Sequence, residues 1–298
     1  MLLAASATFG MTRVLAKPAD PIELWSGIVP GEQKILPAEQ DTTKSTDGLI
    51  AGKSVIRLGN VSRPTLQVFR PPADQDSGTA VLVFPGGGYH ILAMDLEGTE
   101  ICEWLNSIGV TGVLVKYRVP KRPGQAENLA PFQDAQRALG VVRWRAKEWG
   151  LNPQRLGVLG FSAGGHLAAR LSNNYGERAY PTVDDGDRMS CRPDFSVLVY
   201  PGGLTEKDHG DALRPEMSVT AGTAPTFMVI AQDDPVRVEN ALQYAIALQA
   251  AKVPMELHVY PTGGHGYGLR RTAENVTSWS DRAADWMRGR GLLARERK

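Results

Sequence analysis

Leu156-Gly157-Val158-Leu159-Gly160-Phe161-Ser162-Ala163-Gly164-Gly165-His166-Leu167-Ala168 decides how this chain reads. Leu156–Leu159 is an apolar run of strand type, and the spacing after Ser162 becomes that of a helix over Ala163–Ser172. At the junction a serine stands between Gly160 and Gly164. A strand that turns directly into a helix at Gly-x-Ser-x-Gly lifts the serine hydroxyl into the open on a strained turn. The flanking glycines leave room where a Cβ would meet neighbouring backbone. The helix N-terminus beneath adds a positive field suited to a developing oxyanion.

A serine hydroxyl is a weak nucleophile until a base takes its proton. Of the five histidines, His265 lies in Gly263-Gly264-His265-Gly266-Tyr267, a glycine-rich loop after the last strand-type run, Met255–Tyr260. Such a loop lets an imidazole reach the end of another strand. His258 falls inside that run, His166 on the helix after Ser162, and His209 on a polar loop, so none of these competes strongly. An acid must then orient the imidazole and offset its charge. Asp233-Asp234-Pro235-Val236 closes the apolar run Thr226–Ala231 and supplies two candidates. Asp234 is favoured, and Asp233, otherwise a loop cap, stays open as the alternative. The chain order Ser162, Asp234, His265 is the one expected when the serine sits on such an elbow.

Pro85-Gly86-Gly87-Gly88-Tyr89 follows the apolar run Ala80–Phe84. Glycines let backbone approach a substrate closely, so the amides of Gly87 and Gly88, with that of Ala163, are candidate donors to an oxyanion. Tyr89, His90 and Tyr267 flank these loops and are candidate substrate contacts, although both tyrosines serve equally well as loop braces. No Gly-Lys-Ser/Thr follows the glycine run and no acidic ribose partner is evident, which argues against nucleotide binding. Glycoside hydrolysis needs a pair of carboxylates; Glu97 and Glu100 share a helix face without forming a recognisable pair. The chemistry read here requires neither metal nor organic cofactor.

Outward from the elbow, strand-type runs alternate with helical spacing. The runs are Ser54–Leu58, Thr65–Phe69, Ala80–Phe84, Gly112–Tyr117, Leu156–Leu159, Phe195–Tyr200, Thr226–Ala231 and Met255–Tyr260. Helices are predicted over Leu96–Ser107, Phe132–Trp149, Ala163–Ser172, Val238–Ala251 and Ser278–Arg290. This alternation predicts an α/β fold: a mostly parallel eight-stranded sheet with helices on both faces, entered by two antiparallel strands. Several runs are almost wholly apolar, as strands covered on both sides require. Residues 17–52, rich in Pro, Gly and charge, read as an irregular arm. No repeat or linker divides the chain, so 17–298 is read as one domain. Residues 1–16 read as a signal peptide or its remnant, apolar from Leu2 to Met11 with Val14-Leu15-Ala16 before Lys17, although no basic region begins them. A secreted or periplasmic location is expected, and a cytoplasmic one otherwise.

Composition narrows the classes further. Apolar residues make up 42% and charged ones 22% of 298, which excludes extended disorder, collagen and coiled coil. Lys and Arg number 33 against 32 Asp and Glu, with no basic stripe, so no nucleic-acid partner is expected. Two cysteines cannot build a disulfide framework or a zinc cage. No apolar stretch reaches 18 residues, so no integral membrane span is expected.

The ordered series Gly86-Gly87-Gly88-Tyr89, Glu97-Gly98, Trp104-Leu105-Asn106-Ser107, Lys116-Tyr117-Arg118-Val119-Pro120, Gln133-Asp134-Ala135-Gln136-Arg137-Ala138 and Gly160-Phe161-Ser162-Ala163-Gly164-Gly165-His166-Leu167-Ala168 adds a resemblance. It continues through Arg192-Pro193-Asp194-Phe195, Tyr200-Pro201, Asp233-Asp234-Pro235-Val236 and Gly264-His265-Gly266-Tyr267-Gly268. The chain resembles the acetylxylan-esterase-like carbohydrate esterases of the α/β-hydrolase superfamily from about Pro21 to its C-terminus. That resemblance implies metal-independent hydrolysis of acetyl or similar small acyl esters on plant polysaccharides, with feruloyl esters accepted by some relatives. It implies Ser162, Asp234 and His265 as triad and an acylated polysaccharide, oligosaccharide or small ester as partner. Pro85 stands where lipases and esterases often carry histidine. A general carboxylesterase or peptidase on the same triad is the competing class; peptidases of this fold usually add a propeller, and no propeller repeat is present. A non-catalytic binding protein on the same frame is a third class, disfavoured by the intact triad.

Overall fold

The computed structural model describes residues 17–32, 36–122 and 124–293; the reading of 1–16 as an export signal lies outside the described residues. The main sheet has eight strands: β1 (Ile22–Glu23), β2 (Thr65–Phe69), β3 (Ala80–Phe84), β4 (Thr111–Lys116), β5 (Leu156–Phe161), β6 (Phe195–Val199), β7 (Thr226–Ala231) and β8 (Met255–Tyr260). Their spatial order is 1-2-4-3-5-6-7-8. β2 runs antiparallel to both β1 and β4, and every later pairing is parallel.

The central strands β3, β5, β6 and β7 are buried along their whole length, which is why they are apolar almost throughout rather than at every second position; Ser196 and Thr226 are the buried polar exceptions. Alternate side chains serve opposite faces. Leu82, Val113, Val158 and Leu198 join one core with Leu139 and Val142 of α2 (Leu129–Trp144) and Leu167 of α3 (Ala163–Asn173). Val81, Val83, Leu159, Val197 and Phe227 join the other with Ile101 and Leu105 of α1 (Glu100–Ser107) and Trp279 and Ala283 of α5 (Trp279–Gly289). The remaining α-helix among the described residues, α4 (Glu239–Ala250), follows β7.

Three features differ from expectation. The run Ser54–Leu58 does not enter the main sheet. Only Arg57–Gly59 is extended, in a separate three-stranded sheet with Gln40–Asp41 and Ile91–Ala93. The eighth strand of the main sheet is instead β1, from the arm expected to be irregular. It pairs Ile22 with Leu66 and Glu23 with Thr65, and a strand of two residues carries no periodicity to read. The helix expected from Phe132 to Trp149 begins earlier, at Leu129, and ends at Trp144.

A buried ion pair docks the arm. Asp134 of α2 and Arg118, just past β4, are both fully buried in their side chains and 2.9 Å apart. Asp134 also accepts the Trp25 indole N–H at 2.8 Å and the Arg118 amide at 2.9 Å. The Arg118 guanidinium donates onward to the carbonyls of Pro30 and Ala130 and to Gln133. A pair removed from water is stable only when its remaining donors and acceptors are met, and removing one partner strands the other. Asp134→Ala is therefore expected to lower unfolding free energy by about 3–5 kcal/mol in urea titration; a loss under about 1 kcal/mol would show that water reaches Arg118.

Candidate active site

β5 ends at Phe161, α3 starts at Ala163, and Ser162 between them takes φ +51° and ψ −116°. A non-glycine residue in that region is strained and persists only where its surroundings over-determine it. Here the Ser162 amide donates to Val199 at 3.1 Å, while its carbonyl accepts from His166 at 3.0 Å and Gly202 at 3.2 Å. The turn packs so closely that a Cβ on Gly164 would stand 2.0 Å from the Phe84 carbonyl oxygen. A Cβ on Gly86 would stand 2.9 Å from that of Ser162, so the loop after β3 lies against the elbow.

His265, on the loop after β8, places Nε2 2.9 Å from Ser162 Oγ and Nδ1 2.8 Å from Asp234 Oδ2. With the carboxylate facing Nδ1, that nitrogen carries the proton, and the Ser162 hydroxyl donates to Nε2. The Asp234 carboxylate is fully buried, and its other oxygen accepts the Val236 amide at 2.8 Å. Asp233 points elsewhere: its carboxylate accepts the amides of Gly264 at 2.8 Å and Gly263 at 3.4 Å. The adjacent acids thus divide two tasks, Asp234 meeting the imidazole and Asp233 pinning the loop that carries it.

The loop after β3 faces the same point. Gly87 is half-buried and Gly88 exposed, and neither amide donates to another group among the described residues. Ala163 opens α3, where first-turn N–H groups lack intrahelical acceptors. The Pro85 carbonyl accepts the Tyr117 hydroxyl and the Gly86 amide donates to Glu97 at 2.6 Å, which is how this loop is braced with proline in the histidine position. Tyr89 is buried and donates its hydroxyl to His166 Nδ1 at 2.8 Å. Burial pushes that phenol far above its usual range and pushes His166 down, so both groups are neutral; Glu216, 3.6 Å from His166 Nε2, favours the ring proton there, which leaves Nδ1 as the acceptor. Tyr267 is buried too, its ring 4.5 Å from that of Tyr200, and its hydroxyl meets no hydrogen-bond partner among the described residues. Of the three candidate substrate contacts only His90 is exposed.

Sequence reasoning gave Tyr117 and Tyr200 no role and weighed Glu97 only to set it aside as half of a carboxylate pair. Glu97 is 4% exposed, and burial pushes its carboxyl up while the Tyr200 hydroxyl and Gly86 amide pull it back. Its one sequence signal was its place in the motif series.

The α/β hydrolase fold family matches residues 81–218. The crystal structure of acetyl ester-xyloside bifunctional hydrolase from Caldicellulosiruptor lactoaceticus superposes with a TM-score of 0.71 at 32% identity, over 92% of this chain and 97% of that one. The chain belongs to the α/β-hydrolase family. This α/β-hydrolase is also 31% identical over 238 residues to acetylxylan esterase of Xylanibacter ruminicola, covering 74% of this chain and 47% of that protein. The chain thus spans about half the length of that relative. It is 30% identical over 269 residues to ethyl acetate hydrolase of Pseudomonas putida, covering 75% and 80% of the two chains.

The contrast between the two acids yields a ranking. Asp234→Asn is expected to cut turnover of 4-nitrophenyl acetate about 10⁴-fold, because the imidazole then favours the wrong tautomer. Asp233→Asn, which leaves that contact intact, is expected to cost less than about tenfold. Initial rates on the two variants decide, and the reverse order would assign the imidazole to Asp233.

Proposed function

We propose that this α/β-hydrolase is a serine esterase that removes acetyl or similar small acyl groups from plant polysaccharides such as xylan, through an acyl-enzyme. The observation that carries the reading is the run of contacts from Asp234 through His265 to Ser162, at 2.8 and 2.9 Å. The substrate class is supported by the names of two relatives, the acetylxylan esterase and the acetyl ester-xyloside hydrolase.

His265 Nε2 takes the Ser162 proton as the hydroxyl oxygen attacks the ester carbonyl. Asp234 keeps the Nδ1 proton in place and stabilises the imidazolium that forms. The amides of Gly87, Gly88 and Ala163 receive the oxyanion; loss of one such donor costs about 100–1000-fold in related acyl transfers. His265 returns its proton to the leaving sugar hydroxyl. Water, activated by the same imidazole, then attacks the acyl-serine, and acetate departs. Polysaccharide esters lie outside the cell, which accords with reading 1–16 as an export signal. Among the described residues no helix is long and apolar enough to cross a membrane.

A second reading, a general carboxylesterase for small esters, draws on the ethyl acetate hydrolase, of which the chain covers 80%. Acetate release from acetylated xylan, beside 4-nitrophenyl acetate and 4-nitrophenyl octanoate, separates the two. Efficient release from xylan is expected; turnover of the nitrophenyl esters alone would leave the general carboxylesterase. In every assay Ser162→Ala is expected to lower turnover at least about 1000-fold with an unchanged thermal transition; retained activity would remove Ser162 from the mechanism.

A further inference from the structure

The catalytic contacts described so far make no use of a buried carboxyl that touches both halves of the site. Glu97 lies in one turn of π-helix, Asp95–Thr99, that leads into α1. Its Oε2 accepts the Gly86 amide at 2.6 Å, on the loop offering the Gly87 and Gly88 donors. Its Oε1 accepts the Tyr200 hydroxyl at 2.7 Å, and the Tyr200 oxygen accepts the Gly268 amide at 3.1 Å, on the loop that carries His265. The Tyr200 ring stands 4.8 Å from the His265 ring, edge against face. The same turn is wedged between the loops by shape: a Cβ on Gly268 would come 2.5 Å from Leu96, and one on Gly98 would come 3.5 Å from Pro85. Burying a carboxyl is costly unless its oxygens are met by donors, and here one is met by the glycine loop itself and the other by Tyr200, which is tied in turn to the His265 loop. Single π-turns of this kind recur at functional sites.

We infer that Glu97 is a positioning residue, holding the Gly86–Gly88 loop and the His265 loop in register so that oxyanion donors and base meet one carbonyl. The inference rests on the serine-esterase reading. Glu97 touches no reacting atom and acts through Gly86 and Tyr200. Oxyanion donors act on the transition state more than on bound substrate, so loosening their loop lowers kcat and spares KM.

Glu97→Ala is expected to lower kcat on 4-nitrophenyl acetate by about 30–100-fold with KM within about threefold. Glu97→Gln is expected to keep kcat within about fivefold, because an amide oxygen can still accept from Gly86 while its NH₂ donates to the Tyr200 oxygen. Tyr200→Phe releases only the histidine side, and about a tenfold loss of kcat at unchanged KM is expected. Circular dichroism melts accompany each variant; should Glu97→Ala fail to fold, Tyr200→Phe and Glu97→Gln decide. Unaltered kcat in Glu97→Ala or Tyr200→Phe, a KM that rises as kcat falls, or a folded Glu97→Gln markedly below the expected range would overturn the role. Wild-type protein that neither turns over esters nor is labelled at Ser162 by paraoxon would instead overturn the esterase reading itself.

Discussion

Everything at the catalytic end of the sheet depends on how closely three pieces of backbone cross at Ser162. The end of β5, the first turn of α3 and the loop after β3 meet where a Cβ on Gly160 would stand 2.0 Å from the Gly164 carbonyl oxygen. The crossing forces Ser162 to a positive φ, a conformation worth about 1–3 kcal/mol of strain for a residue with a side chain. That strain is held by hydrogen bonds to Val199, His166 and Gly202 and by strands buried along their full length on either side. In return the hydroxyl meets the His265 imidazole on one flank, and the glycine loop after β3 lies against its Cβ on the other.

Buried charge is handled in two distinct ways in this molecule. Arg118 and Asp134 are closed off from solvent, and all their neighbours are structural groups of the arm, β4 and α2. Such a pair contributes little beyond what a well-packed apolar replacement would, but it dictates where Trp25 and Pro30 must dock. Asp234 is equally buried, yet its partner His265 keeps about a quarter of its side chain exposed.

The features legible in the sequence share a cause. Ser162, Asp234 and His265 each follow a strand-type run, and glycine or a paired acid marks the turn that ends it, so residue type and position agree. The arm's strand β1 has two residues and no period, and its pairing with β2 is decided by Leu66 and Thr65 some forty residues on. The run at Ser54–Leu58 has strand composition, but only Arg57–Gly59 finds partners, because those partners are Gln40–Asp41 and Ile91–Ala93 rather than the main sheet. Glu97 and Glu100 are three apart, which on a regular helix puts both on one face. The π-turn breaks that register: Glu97 turns inward to Gly86 and Tyr200, while Glu100 binds Arg270 at 2.7 Å on the outer side. Tyr89 and Tyr267 had equal claims as braces and substrate contacts on sequence grounds; burial and, for Tyr89, the bond to His166 come from tertiary packing alone.

The exposures across the site form a gradient with chemical consequences. Asp234 is dry, His265 and Ser162 are half-buried, and Gly88 and His90 face solvent. The dry end strengthens the acid–imidazole contact, since charge interactions weaken as water enters. The wet end serves the other half of a hydrolytic cycle, in which water must reach the acyl-serine while the base is still in place.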